Sequence, residues 1–172
     1  MDYSGNPYIN SFRDFASIFE AARAKGFKTT IHIAETEGEV CKEETREILR
    51  FKPDRIGHFN YFDKELLDLV FKLRIPLEIC PTSNYFTLKL TNMKQHHFGV
   101  FFQEKYPMSI CTYDTGVLDT DLSREVYEIW RAFDVDLNEV KEFLEIALQC
   151  ILEENVRWEV GKKIMEFFEE KK

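Results

Sequence analysis

His32 and Glu35 are side chains that can titrate or bind a metal ion, and they stand three residues apart. The segment that leads to them, residues 30–33, is β-branched and apolar apart from the histidine, which predicts a buried strand. His32 and Glu35 therefore lie where a strand ends in a loop, and α/β barrels have their catalytic residues at such strand ends. The structural alternative is a core histidine bonded to a backbone carbonyl, next to a solvated glutamate.

Four other predicted strand ends also carry polar groups. In a parallel sheet or barrel these ends converge, so residues far apart in sequence become neighbours. A structural role is open for each one, such as an Asx turn for Asn84 or a helix cap for Asp114. The repetition at five strand ends favours a shared site. The four further ends are Gly5 with Asn6, His58, Asn84, and Tyr113 with Asp114.

Alternating strands and helices must position these groups. Apolar residues at helical spacing predict a helix from Ser11 to Lys25, with Gly26 just after its end. Later helical patterns follow each predicted strand and continue from Asp121 to the end of the chain, while residues 81–84 are predicted to form a polar turn. The order predicts an α/β fold of parallel βα units with a helical C-terminus. The strands are predicted at residues 28–33, 55–58, 76–80 and 107–112.

Charge and hydropathy limit the partners. The 172 residues carry a net charge of −8, and no basic run occurs, so neither nucleic acid nor an anionic membrane is expected as a partner on electrostatic grounds. No apolar run approaches the roughly 20 residues that cross a bilayer. The first residues lack the pattern of a signal peptide, so a cytoplasmic location is expected.

The four cysteines, at positions 41, 80, 111 and 150, are widely spaced within apolar patterns. No Cys-x-x-Cys pair occurs, so neither a zinc knuckle nor the cysteine-ligated type of nucleobase deaminase is indicated. Reduced core cysteines are the simplest interpretation.

Several motifs together resemble one family, the metal-dependent adenosine and AMP deaminases. The QHHFG sequence at 95–99 and TDLS at 120–123 point within it to the adenosine deaminase-like branch, the N6-methyl-AMP deaminases. The opening DYSGNP at 2–7 resembles that family's fourth strand end. The other matching motifs are HIAE at 32–35, RIGH at 55–58, ICPTSN at 79–84 and TYDTG at 112–116.

The resemblance implies a fold and an activity. The chain resembles the C-terminal half of a TIM (β/α)8 barrel, so residues 1–172 are expected to form a single partial domain. The implied reaction is the zinc-dependent hydrolysis that removes the 6-amino or N6-methylamino group from adenosine-type or AMP-type purines. The implied partner is a small purine nucleoside or nucleotide.

The resemblance also implies residue roles. His32 is similar to a zinc ligand, and Glu35 to the acid that protonates the purine ring nitrogen. His58 resembles the group that orients and deprotonates the metal-bound water that attacks C6. Asp114 resembles the carboxylate that binds the imidazole side of the base, and Gly5 the backbone donor to its pyrimidine side.

Two departures from the family bear on activity. The family begins with a His-x-His pair that supplies two zinc ligands, and this chain starts after that point. The family also has Asp-Asp where this chain has Tyr113 and Asp114, and a phenol with a pKa near 10 replaces an anionic ligand poorly. Only His32 then remains of the family's zinc ligands, whereas catalytic zinc normally takes three. Zinc binding by this chain is therefore expected to be weak, and the chain alone inactive.

Three interpretations stay open. The chain is a deaminase without its N-terminal half, a noncatalytic relative that keeps a purine pocket or a partner surface, or a generic half-barrel with structural strand ends. Tyr113 favours the second interpretation over the first, because truncation alone does not remove an aspartate. In either case a half-barrel leaves unpaired strand edges, which predicts self-association or pairing with a missing N-terminal half.

The deaminase interpretation makes a geometric prediction. His32, Glu35, His58 and Asp114 should converge at the ends of adjacent strands, with Gly5 at the rim and Tyr113 beside His32. The adjacent residues His96 and His97 are interpreted as loop structure.

Overall fold

The computed structural model describes residues 1–170, which divide into two compact units, Met1–Ile79 and the segment from Cys80 onward. The first unit alternates strands with helices. Its elements in chain order are β1 (Asp2–Tyr3), α1 (Phe12–Ala24), β2 (Thr30–Ile33), α2 (Glu39–Phe51), β3 (Arg55–His58), α3 (Lys64–Leu73) and β4 (Leu77–Ile79).

The four strands of the first unit form a parallel sheet in the order β1-β2-β3-β4. In the register of this sheet His32 of β2 lies beside Gly57 of β3, and Ile33 lies beside His58. Because β2 and β3 are parallel and end at nearly the same level, the groups that follow them are brought to one edge of the sheet.

The helices of the first unit form where their sequence patterns predict them. α1 begins with a capping box, in which Ser11 and Asp14 each accept a hydrogen bond from the other's backbone N–H, and Gly26 follows its end with a φ of 84°. The Asp63 side chain caps α3 by accepting a hydrogen bond from Leu66 N. The inward face of α2 is buried; it consists of Cys41, Thr45, Ile48 and Leu49.

The second unit is mainly helical. Its core includes three aromatic side chains, Phe98, Phe101 and Tyr106, which are fully buried. Its elements are α4 (Pro81–Thr87), a 3₁₀ turn (Met93–Gln95), α5 (Phe98–Gln103), β5 (Met108–Ile110), α6 (Thr115–Leu118), α7 (Leu122–Phe133), α8 (Leu137–Ala147), a second 3₁₀ turn (Leu148–Cys150) and α9 (Glu154–Glu169).

One prediction for this unit is wrong. Residues 81–84, predicted as a polar turn, are the first residues of α4. Pro81 is tolerated there because the first helical residue needs no N–H donor. Asn84 is fully buried, and its side-chain oxygen accepts a hydrogen bond from Cys80 N, 3.1 Å away, so its polarity serves the start of the helix.

All four cysteines are free, and three of them are buried, in agreement with reduced core residues. Within residues 1–170, no helix combines the length and the apolar character needed to span a bilayer.

Candidate active site

β2 presents His32 to one face of the sheet. Its neighbours Ile31 and Ile33 are almost completely buried on the other face, as the alternation of a strand requires. The His32 side chain is 16% exposed, so its ring is held in place but stays accessible to a small molecule.

A glycine on the next strand accommodates the His32 ring. A Cβ atom added to Gly57 would lie 3.3 Å from His32 Cδ2, which is closer than ordinary side-chain contacts. The RIGH sequence therefore places its glycine where the imidazole of β2 crosses the neighbouring strand.

His58 reaches the same edge because the backbone turns sharply at the end of β3. Both His58 and Phe59 have a left-handed backbone, with φ values of 66° and 49°. The His58 side chain is 1% exposed, and its Nε2 lies 3.2 Å from His32 Nδ1. One imidazole must donate this hydrogen bond and the other accept it, so the two rings are coupled through a single proton position.

Glu35 completes this cluster. Its carboxylate lies 3.9 Å from His32 Nδ1 and 3.8 Å from His58 Nε2. Burial raises the pKa of the Glu35 carboxyl above its ordinary value, and the charge of His32 partly opposes that rise. A carboxyl with a raised pKa carries its proton to a higher pH, which suits a general acid.

Asp2 is a member of the site that the sequence analysis missed. Its Oδ1 lies 3.7 Å from His32 Nε2, on the side of the ring opposite to His58. The signal for Asp2 is weak in the sequence because β1 has only two residues, and it emerges only from the register that places Asp2 beside Thr30.

The cluster has the composition of a metal site. One ligand atom from each of His32, Glu35 and His58 can be chosen so that all three lie within 4.8 Å of one another. Two imidazoles and a carboxylate are a common donor set for zinc. The residues present therefore fit a zinc ion, with a different combination of donors from the one that the resemblance implies.

Gly5 also lies in the first unit, just after β1. Its φ of 144° is a backbone conformation that favours glycine, and a Cβ atom added to it would meet nothing within 4 Å. The open space beside Gly5 leaves its backbone approachable.

Tyr113 and Asp114 belong to the second unit. Asp114 caps α6, since its Oδ1 accepts a hydrogen bond from Val117 N at 3.1 Å. The helix cap that the sequence left open for Asp114 is therefore present. Tyr113 has a φ of 63° and is 51% exposed. The backbone thus already turns at Tyr113, before the carboxylate of Asp114.

His96 and His97 lie in the loop and helix start where they were expected, but both are buried. Their rings stack with centroids 4.4 Å apart, and His96 Nδ1 accepts a hydrogen bond from Phe98 N. Burial, together with the neighbouring His97, holds the pKa of His96 well below its ordinary value. This pair organises the start of α5.

Comparison with known proteins identifies the class of this chain. The adenosine deaminase family model matches residues 4–166, so the chain belongs to the adenosine deaminase family. Its parallel strands, alternating helices and helical C-terminus have the fold of half of a TIM barrel, as predicted, and they match solved deaminase structures.

Two of the relatives are named as N6-methyl-AMP deaminases. The chain is 39% identical to the N6-methyl-AMP deaminase-L of Xenopus laevis over 131 residues. This aligned region covers 75% of this chain and 37% of that protein. It is 33% identical over 170 residues to the human N6-methyl-AMP deaminase, covering 95% of this chain and 47% of that protein. The chain therefore spans about half the length, or less, of these relatives.

Two solved structures are similar in fold to this chain. The structure of arabidopsis ADAL complexed with IMP is 30% identical, with a TM-score of 0.88, covering 96% of this chain and 48% of that one. An adenine deaminase from Arthrobacter aurescens is 13% identical, with a TM-score of 0.83, and shares the fold.

Proposed function

We propose that this chain supplies the acid–base residues of a zinc-dependent purine aminohydrolase. The substrate is an N6-methyl-AMP-type or AMP-type nucleotide, and water replaces the amine at C6 to give an IMP-type product and methylamine or ammonia. The observation that carries the proposal is the cluster of His32, Glu35 and His58, whose ring nitrogens and carboxylate oxygens lie less than 4 Å apart. The relatives named as N6-methyl-AMP deaminases, and the ADAL structure complexed with IMP, support the choice of substrate.

The roles follow from the chemistry of the three groups. Glu35, whose raised pKa favours its protonated form, donates a proton to a purine ring nitrogen. His58 accepts a proton from the attacking water, because its buried imidazole has a fixed direction. His32 is the zinc ligand, and zinc, when bound, makes a coordinated water more acidic.

Two further residues contact the base in this proposal. Gly5 offers its backbone N–H to the pyrimidine side, which its open surroundings permit. Asp114 binds the imidazole side through the carboxylate oxygen that does not cap α6.

The isolated 172-residue chain is not expected to turn over substrate. Tyr113 offers a neutral phenol at the position of a family carboxylate, and the three clustered side chains cannot serve as acid, base and full metal site together. A noncatalytic role in purine binding or protein interaction is the alternative, and the exposed Tyr113 is the observation that favours it.

The test is a split-enzyme assay. The chain is mixed with the part of human N6-methyl-AMP deaminase that it does not match, and methylamine release from N6-methyl-AMP is measured. The two halves of the human enzyme serve as the positive control. We expect turnover with the mixture, none with the chain alone, and a higher rate with Tyr113→Asp in the mixture but no rescue in the chain alone.

Turnover by the chain alone would contradict its proposed inactivity. If the mixture shows no turnover while the two human halves are active together, the catalytic proposal is contradicted and the noncatalytic alternative is left.

A further inference from the structure

A cavity in the second unit has a mixed aromatic and cationic lining. It lies between α4, the first 3₁₀ turn and α7, and its volume is about 560 Å³. Cavities of roughly 300–1,000 Å³ are typical binding sites for small molecules. We propose that this cavity binds a small molecule that carries an aromatic ring and one oxyanion group, a phosphate or a carboxylate. The proposal does not rest on the deaminase function, because the catalytic cluster belongs to the first unit.

α7 presents three charged side chains to this cavity. Arg124, Glu128 and Arg131 follow one another at separations of four and three residues, so they lie on one face of the helix. Glu128 pairs with Arg131, and the closest atoms of the two side chains are 3.0 Å apart. Lys94, which also lines the cavity, pairs with Asp134 at 3.4 Å. These two cations are therefore balanced by carboxylates.

Arg124 is the cation that an oxyanion can pair with. Within residues 1–170 its guanidinium has no carboxylate partner, and its Nη1 donates a hydrogen bond to the Asp119 carbonyl oxygen, 2.9 Å away. This bond directs the guanidinium and leaves its other N–H donors for a ligand. A guanidinium binds a carboxylate or a phosphate through two parallel hydrogen bonds, which its charge strengthens.

α4 and the 3₁₀ turn supply the apolar part of the lining. Tyr85 and Phe86 contact each other edge to face, with ring centroids 5.7 Å apart, so each ring supports the other. Phe86 is nevertheless 62% exposed, and a ligand ring packed on it would remove apolar surface from water. Met93 adds a flexible thioether, which adapts to the outline of a bound ring. The lining therefore favours an aromatic ring.

The test uses three naphthalene probes that are substituted at the same ring position. They are naphthyl phosphate, naphthoate and uncharged naphthol, and their binding to the 172-residue chain is followed by fluorescence titration. We expect a one-to-one complex with an anionic probe, and binding of naphthol weaker by at least about 10-fold, because naphthol cannot make charge-assisted bonds to Arg124. The two anionic probes show which oxyanion the cavity prefers, and either preference supports the proposal.

Two substitutions locate the bound probe. Arg124→Gln should weaken binding of the anionic probes by about 10-fold to 100-fold and leave naphthol binding unchanged. Phe86→Ala should weaken binding of all three probes by about 3-fold to 10-fold. Both side chains are exposed, so the fold should persist. The matched controls are Lys162→Gln and Phe167→Ala on α9, which remove an exposed charge and an exposed ring and should bind like the unmodified chain.

Three results would overturn the proposal. The first is no saturable binding of either anionic probe, and the second is naphthol binding as tight as theirs. The third is unchanged affinity for the anionic probes in Arg124→Gln and Phe86→Ala, which would assign the bound probe to another place, the candidate active site included. The split-enzyme assay depends on residues of the first unit, so failure of this proposal is distinguishable from failure of the proposed function.

Discussion

The position of the His32 ring depends on the absence of a side chain at residue 57. Gly57 lies beside His32 in the β2–β3 register, and a Cβ atom there would come within 3.3 Å of the ring. The His32 ring would therefore have to move by a few tenths of an ångström. The position of the His32 ring therefore depends on this glycine as well as on the polar groups of the cluster.

We expect Gly57→Ala to displace His32 while the fold persists. The crowded contact should cost about 1–3 kcal/mol of unfolding free energy, as overpacking does elsewhere. The His32 imidazole resonances should shift in NMR spectra. Gly116→Ala is the control, because its added Cβ would meet its nearest neighbour at an ordinary 3.7 Å. Unchanged His32 resonances in Gly57→Ala would contradict this explanation.

His96 should make stability depend on pH. Its folded pKa lies well below the ordinary value of 6.5, so below that pH the unfolded chain binds more protons than the folded chain. Unfolding free energy should therefore fall as pH decreases below about 6.5, by up to about 1.4 kcal/mol per unit for this one group. His96→Asn keeps an acceptor for Phe98 N but cannot titrate, and urea unfolding between pH 7 and 5 should show a flatter profile. An equally steep profile in His96→Asn would assign the pH dependence to other groups.

At the scale of elements, a buried carboxylate of α7 connects this helix to the start of α4. Glu125 is fully buried, and its Oε2 accepts a hydrogen bond from Thr82 N at 2.8 Å. α4 begins with Pro81 and has no side-chain cap, so this carboxylate satisfies one of its first N–H groups.

Glu125→Ala should therefore destabilise the chain by about 1–3 kcal/mol, because it leaves the part-buried Thr82 N–H without its acceptor. Glu125→Gln retains an oxygen acceptor and should cost less. Chemical denaturation of both variants measures the difference. If Ala and Gln have the same effect, the hydrogen bond to Thr82 is not the source of the stability.

Sequence patterns predicted the elements where local chemistry dominates. The first helix, with Gly26 after its end, and the buried strand at β2 both depend on residues within a few positions of each other. The 81–84 helix was missed because its stabilising partner, Glu125, is 43 residues away. For the site, the pairing of His32 with Glu35 followed from their spacing, whereas Asp2 became visible only through the pairing of strands.

At the scale of the whole molecule, the β1 end of the first unit's sheet has consequences for association. β1 is the terminal strand of that sheet and has two residues. A terminal strand presents backbone N–H and C=O groups that another strand can pair with.

We expect the purified chain to self-associate, or to pair with a complementary half-barrel, at tens of micromolar. Sedimentation velocity and light scattering over a range of concentrations measure this directly. Adding the unmatched part of the human relative should replace the self-associated species with a one-to-one complex. A stable monomer at these concentrations that also fails to bind the human segment would contradict this expectation.

The catalytic role of the cluster is tested most directly by the variants Glu35→Gln and Glu37→Gln in the split-enzyme assay. Both remove one negative charge, and only Glu35 belongs to the cluster with His32 and His58. We expect Glu35→Gln to lower the rate of methylamine release by about 10²-fold to 10⁴-fold, the usual contribution of a general acid, while Glu37→Gln keeps the full rate. A Glu35→Gln mixture as active as the Glu37→Gln mixture would contradict this role.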